Sequence, residues 1–186
     1  MTDTSRTVAD LTTNLFQNGQ SAGSITPQDL RDIIETCQTK QGSMYVSTPV
    51  STSISVAGTY TEGAGTFTLS TSPTANEFDM NVNARLRYTG TPSVNCMFMA
   101  SVSLEINTAI VNKEFAIALH KNGALITGSK MVGFSPATTV NSVNIQTMGY
   151  ALMNTNDYIS VFVTNMDSTD NLTIRNAQIM GMSLVT

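Results

Sequence analysis

The chain has one histidine, His120, within "FAIALHKNGALITGSK" at 115–130, beside a glycine turn and between two apolar runs. A catalytic imidazole needs a nucleophile or an orienting carboxylate within hydrogen-bond reach, and a metal site needs further ligands. No second histidine exists, and the two cysteines, Cys37 and Cys96, are not in a Cys-x-x-Cys arrangement. Asn122-Gly123 supplies the two left-handed positions of a tight hairpin turn, so 115–120 and 124–130 are predicted to pair. His120 then ends a strand near the edge of a sheet, as a rim or subunit-contact residue rather than a catalytic one.

The carboxylates point the same way. Glu62, Glu77, Asp79, Glu105, Glu114, Asp157, Asp167 and Asp170 are scattered over loops and strand ends and read as solvated loop charges. "DSTDN" at 167–171 offers two carboxylates and an amide but lacks the glycine and distal glutamate of a calcium loop, so it reads as a turn. A serine hydrolase would have to combine His120 with an unassignable serine, and no nucleophile elbow is present. Phosphate-cradling glycine loops are missing too, so a non-enzyme without cofactor or metal is expected.

Composition sets the elements that carry these residues. Ser, Thr and Asn make up roughly a third of the 186 residues, Trp is absent, and such a bias suits short strands and exposed turns. A formal net charge of −4 with no basic run argues against nucleic acid, whose phosphates demand a cationic surplus. No window approaches the ~20 apolar residues of a membrane span. With two cysteines and no apolar core in "MTDTSRTVAD", a reduced cytoplasmic origin without a disulfide is expected.

Residues 1 to about 24 are polar with two small apolar islands, and read as an extended arm that orders on something else. In "ITPQDLRDIIETC", Thr26 caps, Pro27 suits the first turn and Asp29 favours its positive end, which predicts a helix at about 27–37. Leu30, Ile33, Ile34 and Cys37 form one apolar stripe that needs a surface to cover it. The composition changes between about 38 and 43, dividing an arm-and-helix region (1–42) from a β domain (43–186).

Strands are predicted at 44–48, 53–57, 65–70, 77–80, 84–89, 94–106, 113–120, 124–131, 138–152, 157–164 and 171–185, a number that implies a sandwich or jelly roll. Phe98, Ala100, Val102, Leu104 and Ile106 alternate onto one face, and Ile159, Val161 and Val163 do the same. Met97 and Met99 fall on the other face, where a solvated strand favours polar groups, so either another subunit or a second core layer is expected to cover that end. A bulge near Asn176 and Ala177 is predicted, after which Ile179, Met182 and Leu184 resume the core face.

Three segments together resemble a known family. "SITPQDLRDIIET" at 24–36 looks like the N-terminal helix motif of phage virion proteins. "GSMYVSTPVSTSISVAGTYTEGAGTFTLS" with "FDMNVNARLRYTGTPSVNCMFMASVSLEI" is similar to the start of the tumour-necrosis-factor-like or complement-like jelly roll of phage structural proteins, and "FAIALHKNGALITGSK" with "YALMNTNDYISVFVTNMDSTDNLTIRNAQIMGMSLV" to its later strands. The resemblance covers about 24–185.

It implies a jelly roll of about ten strands, assembled as a homotrimer and displayed on a virion after synthesis in the host cytoplasm. The expected role is a capsid decoration or cement protein bound to the major capsid protein. For that role the apolar anchors are Leu11, Leu15, Phe16, Leu30, Ile33 and Ile34, and alternation alone nominates Tyr88, Met97, Met99, Tyr150, Tyr158 and Phe162 for the trimer contact. The alternative is a head or tail fibre whose loops, carrying Tyr60, Asn76, Asp167 and Asn171, bind a host receptor.

Overall fold

The predicted helix forms at Pro27–Cys37, and its first turn shows why. The Thr26 amide and hydroxyl donate to the Asp29 carboxylate (2.8 and 2.7 Å), while the Asp29 amide donates to the Thr26 hydroxyl oxygen (3.2 Å). That exchange satisfies amides which a helix start leaves open. The computed structural model describes residues 25–71, 75–106, 112–135 and 141–184.

Thirteen strands follow among the described residues: β1 (Gln41–Pro49), β2 (Ser51–Thr52), β3 (Thr61–Glu62), β4 (Gly65–Leu69), β5 (Phe78–Val82), β6 (Arg85–Tyr88), β7 (Val94–Ile106), β8 (Lys113–Lys121), β9 (Ala124–Leu125), β10 (Met131–Ser135), β11 (Asn141–Met153), β12 (Tyr158–Asn165) and β13 (Leu172–Ser183). β2, β3 and β9 are two-residue pieces, and the rest match the expected ten. One sheet runs β11-β7-β13-β1-β4 with β2 on β13; the other runs β10-β8-β12-β6-β5 with β3 on β12 and β9 on β8. Leaving the two-residue pieces aside, the chain changes sheet from β4 to β5, β6 to β7, β7 to β8, β10 to β11, β11 to β12 and β12 to β13, which are the crossings of a jelly-roll sandwich.

The core lies between the sheets. β7 contributes Phe98, Ala100, Val102, Leu104 and Ile106, β8 contributes Phe115, Ile117 and Leu119, and β12 contributes Ile159, Val161 and Val163. Burying a side chain such as Phe98 stabilises by about 1.5–3 kcal/mol. Gly181 faces Phe98 so closely that an added Cβ would stand 2.5 Å from the ring.

Two predicted strands differ. The run 53–57 is a turn, with Thr59 N–H donating to Val56 O and Gly58 at φ 76°. The run 124–131 breaks into β9 and β10 because Gly128 takes φ 88° and the Ser129 hydroxyl donates to Ile126 O at 2.8 Å, locking a turn. The hairpin itself forms as expected, with Asn122 and Gly123 at φ 51° and 80°.

The predicted bulge is present, between Ile174 and Asn176 in the pairing with β7. One extra residue reverses the alternation. Leu172 and Ile174 point into the core before it, and Ala177 and Ile179 after it. Met180 and Met182 therefore stand on the outer face, and Met182 and Leu184 do not rejoin the core as the sequence suggested; Leu184 is exposed.

Candidate functional site

The reversed phase completes an apolar band on the outer face of the β11-β7-β13 sheet. Met99 pairs with Met148 on one side and Met180 on the other; Met97 pairs likewise with Tyr150 and Met182. Directly paired residues project to the same face, so two rows of thioethers and one phenol cross three adjacent strands. Met99 is 45%, Met148 54%, Tyr150 59% and Leu152 51% exposed, while Met97, Met180 and Met182 are half-buried. A patch of this kind marks an interaction surface.

Along the same strands the face turns polar. Gln146, Ser101 and Gln178 share one row and Asn144, Ser103 and Asn176 the next. An open groove of about 560 Å³ runs over this half, lined by Tyr45, Ser101, Ser103, Asn144, Asn176 and Gln178. The Arg175 guanidinium donates to the Glu105 carboxylate beside it, which holds Glu105 below the ordinary carboxylate range.

A second apolar patch lies elsewhere. β10 ends the other sheet, beside β11, and carries Met131, Val132 and Phe134, all about half exposed. The molecule thus has two different apolar surfaces, a face and an edge.

Of the six residues expected to form one contact, Met97, Met99 and Tyr150 come together on this band. Tyr88 does not: it is fully buried, its hydroxyl 2.9 Å from Pro92 O and 3.1 Å from Glu77 Oε2, and its ring packs on Phe78. Tyr88 and Leu86, two apart on β6, share the strand's buried face and join the core, while Arg85 and Arg87 take the other face; Tyr88 exchanges backbone hydrogen bonds with Asp157 and Asn156 at the adjoining turn. Tyr158 and Phe162 lie on β12 in the other sheet, on its outer side, because Ile159, Val161 and Val163 take the core phase. For Tyr158 and Phe162, alternation told that they leave the core but not from which sheet.

In the helix, Leu30 and Ile34 are exposed and Ile33 is half-buried, whereas Asp32 is buried and accepts from Gln28 Nε2 at 2.7 Å. Leu11, Leu15 and Phe16 lie outside the described residues.

His120 is not a rim residue. It is buried on β8, an inner strand, its ring stacked on Phe162 at 3.8 Å. Several acidic residues that read as solvated charges are ion-paired instead: Glu62 with Arg85, Asp79 with Arg87, Glu105 with Arg175, Asp157 with Lys121 and Glu77 with Lys40. The 167–171 stretch is a turn in which Asn165 Oδ1 accepts from the Asp167 and Ser168 amides. Among the described residues no three His, Cys, Asp or Glu side chains converge on a metal position. Both cysteines are free, and burial pushes the Cys96 thiol up to about 12. No helix among the described residues is long and apolar enough to cross a membrane.

No protein-family model and no curated protein matches the chain. Among solved structures it is similar to Eiger TNF from S. frugiperda, at 7% identity and TM-score 0.49, covering 78% of this chain and 92% of that one. It is also similar to murine APRIL at pH 8.5, at 11% identity and TM-score 0.44, covering 78% of this chain and 100% of that one. The jelly-roll sandwich itself rests on the strand order described above.

Proposed function

We propose that the chain is a homotrimeric capsid decoration protein of a phage virion, with a structural rather than an enzymatic role. The observation that carries the assembly is the apolar band of Met97, Met99, Met148, Met180, Met182 and Tyr150. A second copy is the occupant that suits it, because the chain also carries the edge patch Met131, Val132 and Phe134. Seating the edge of one protomer on the band of the next is a head-to-tail contact, and three such contacts close a ring.

Attachment to the major capsid protein falls to the arm and helix. Leu30 and Ile34 leave an apolar stripe in solvent, and Ile33 flanks it; Leu11, Leu15 and Phe16 add anchors from the arm. Three copies of a weak anchor act together once joined, so a trimer holds a shell more firmly than a monomer. The phage setting and the virion location rest on the sequence resemblance of the helix motif and the later strands.

Removing residues 1–37 tests the division of labour. The truncated chain should remain a folded trimer and no longer bind heads; normal binding would refute the attachment role. Copies per particle comparable to the shell protein fit decoration, and a handful fit a fibre.

A further inference from the structure

The outer face of the β10-β8-β12-β6 sheet holds a polar cluster that trimer formation does not use. His120 and Ser160 are direct partners in the β8–β12 ladder, so their side chains stand together on one face. The His120 ring lies flat on Phe162, with 3.8 Å between centroids and 8° between planes, and the Tyr60 ring is 6.1 Å away. His120 Nδ1 meets Gly123 O at 2.9 Å. A carbonyl can only accept, so Nδ1 carries the proton and Nε2 offers a lone pair.

That Nε2, the Ser160 hydroxyl and the Tyr60 hydroxyl are all buried with no hydrogen-bond partner. His120 is 7% and Ser160 0% exposed. Buried polar atoms almost always have partners, because losing water uncompensated is costly. Three orphans in one cluster point to a ligand.

The rim defines its chemistry. Glu62, opposite Phe162 in the ladder, accepts from Arg85 Nε and an Arg85 terminal nitrogen at 3.0 Å each. Arg85 sits 4.5 Å over the Tyr158 ring, and Lys130 Nζ lies 5.7 Å from the Tyr60 ring. A cation would meet Arg85 and Lys130, and an anion would meet Glu62. A purely apolar ligand would leave the three orphans unpaired. A neutral polyol satisfies all of them, since each of its hydroxyls can donate to Nε2 and accept from Ser160 and Tyr60.

We propose that this cluster is a saccharide-binding site, with Tyr60 and Phe162 as the flat apolar platforms and Ser160, His120 and Glu62 as the polar contacts. Entry is by rotation of Tyr60, which follows the exposed turn 55–59. The site lies on β8 and β12, on the sheet opposite the methionine band and inward of the β10 edge, and none of its residues belongs to either apolar surface of the trimer contact.

The test is saturation-transfer NMR of the full chain with the methyl glycosides of glucose, galactose, mannose and N-acetylglucosamine, on wild type and on Tyr60→Phe, Ser160→Ala and His120→Gln. At least one glycoside should bind, and each substitution should weaken it about tenfold. Without sugar, Ser160→Ala should melt no lower than wild type, since it removes an unpartnered hydroxyl. Absence of transfer from wild type, or binding that survives all three substitutions, would overturn the proposal. So would a Ser160→Ala protein that melts lower and a wild type that ignores every glycoside, which would make the cluster structural.

Discussion

Met99 on β7 stands directly opposite Met148 on β11, and both thioethers lie about half in solvent at the centre of the same sheet face. Neither supports the core, which lies on the other side of the sheet. Glutamate at both positions should therefore lower monomer stability by no more than about 1 kcal/mol, through repulsion of the two facing carboxylates. Each pair of carboxylates would face the apolar β10 edge of the next protomer and lose water without a partner, so the trimer should dissociate. Light scattering coupled to gel filtration, with a melting curve as control, reads both outcomes.

Tyr88 gives the opposite pattern. Its hydroxyl is shared between Pro92 O and Glu77, and burial, with Glu77 adding to it, keeps the phenol un-ionised through the ordinary range. Tyr88→Phe should cost about 1–3 kcal/mol in urea unfolding, because the partners are left without their donor. It should leave the oligomeric state unchanged.

The Glu62–Arg85 pair sets a pH dependence. The Arg85 guanidinium, through its hydrogen bonds and its charge, holds the Glu62 carboxyl below its ordinary range, and burial opposes that. With the folded value depressed, the pair stabilises above the unfolded value of about 4.3 and loses that contribution as pH falls through the folded one. Both side chains are about a third exposed, so screening limits the effect to about 0.5 kcal/mol. Glu62→Gln should be slightly less stable at neutral pH and equal to wild type near pH 3; thermal melts at the two pH values decide it.

Replacing Leu30 and Ile34 together by serine should leave the melting temperature and the trimer as they are, since both side chains are already in solvent. Binding to purified heads should fall about tenfold or more, because each lost apolar anchor is repeated in three copies. Co-sedimentation with heads measures it.

Much of the fold was legible in the sequence because its signals are local. The alternation of Phe98 to Ile106, the Asn122-Gly123 turn, the Thr26 cap and the bulge near Asn176 each depend on neighbouring residues, and each appears where expected. The site was legible in part. Alternation placed Met97, Met99 and Tyr150 outside the core, but assigning Tyr158 and Phe162 to the other sheet requires knowing how strands cross. Tyr88 was misplaced although its spacing from Leu86 puts it on the core face of β6, with Arg85 and Arg87 on the other. The orphaned Tyr60, Ser160 and His120 atoms escaped notice because three separate stretches meet there, and a lone histidine in a sequence carries no sign of what stacks on it.

The central claim is assembly through the methionine band, and sedimentation equilibrium of the full chain tests it most directly. The account predicts one species near three times the 19.9 kDa chain mass, falling to a monomer when Met99 and Met148 both become glutamate. A monomer at every concentration, or a trimer indifferent to those two charges, would contradict it.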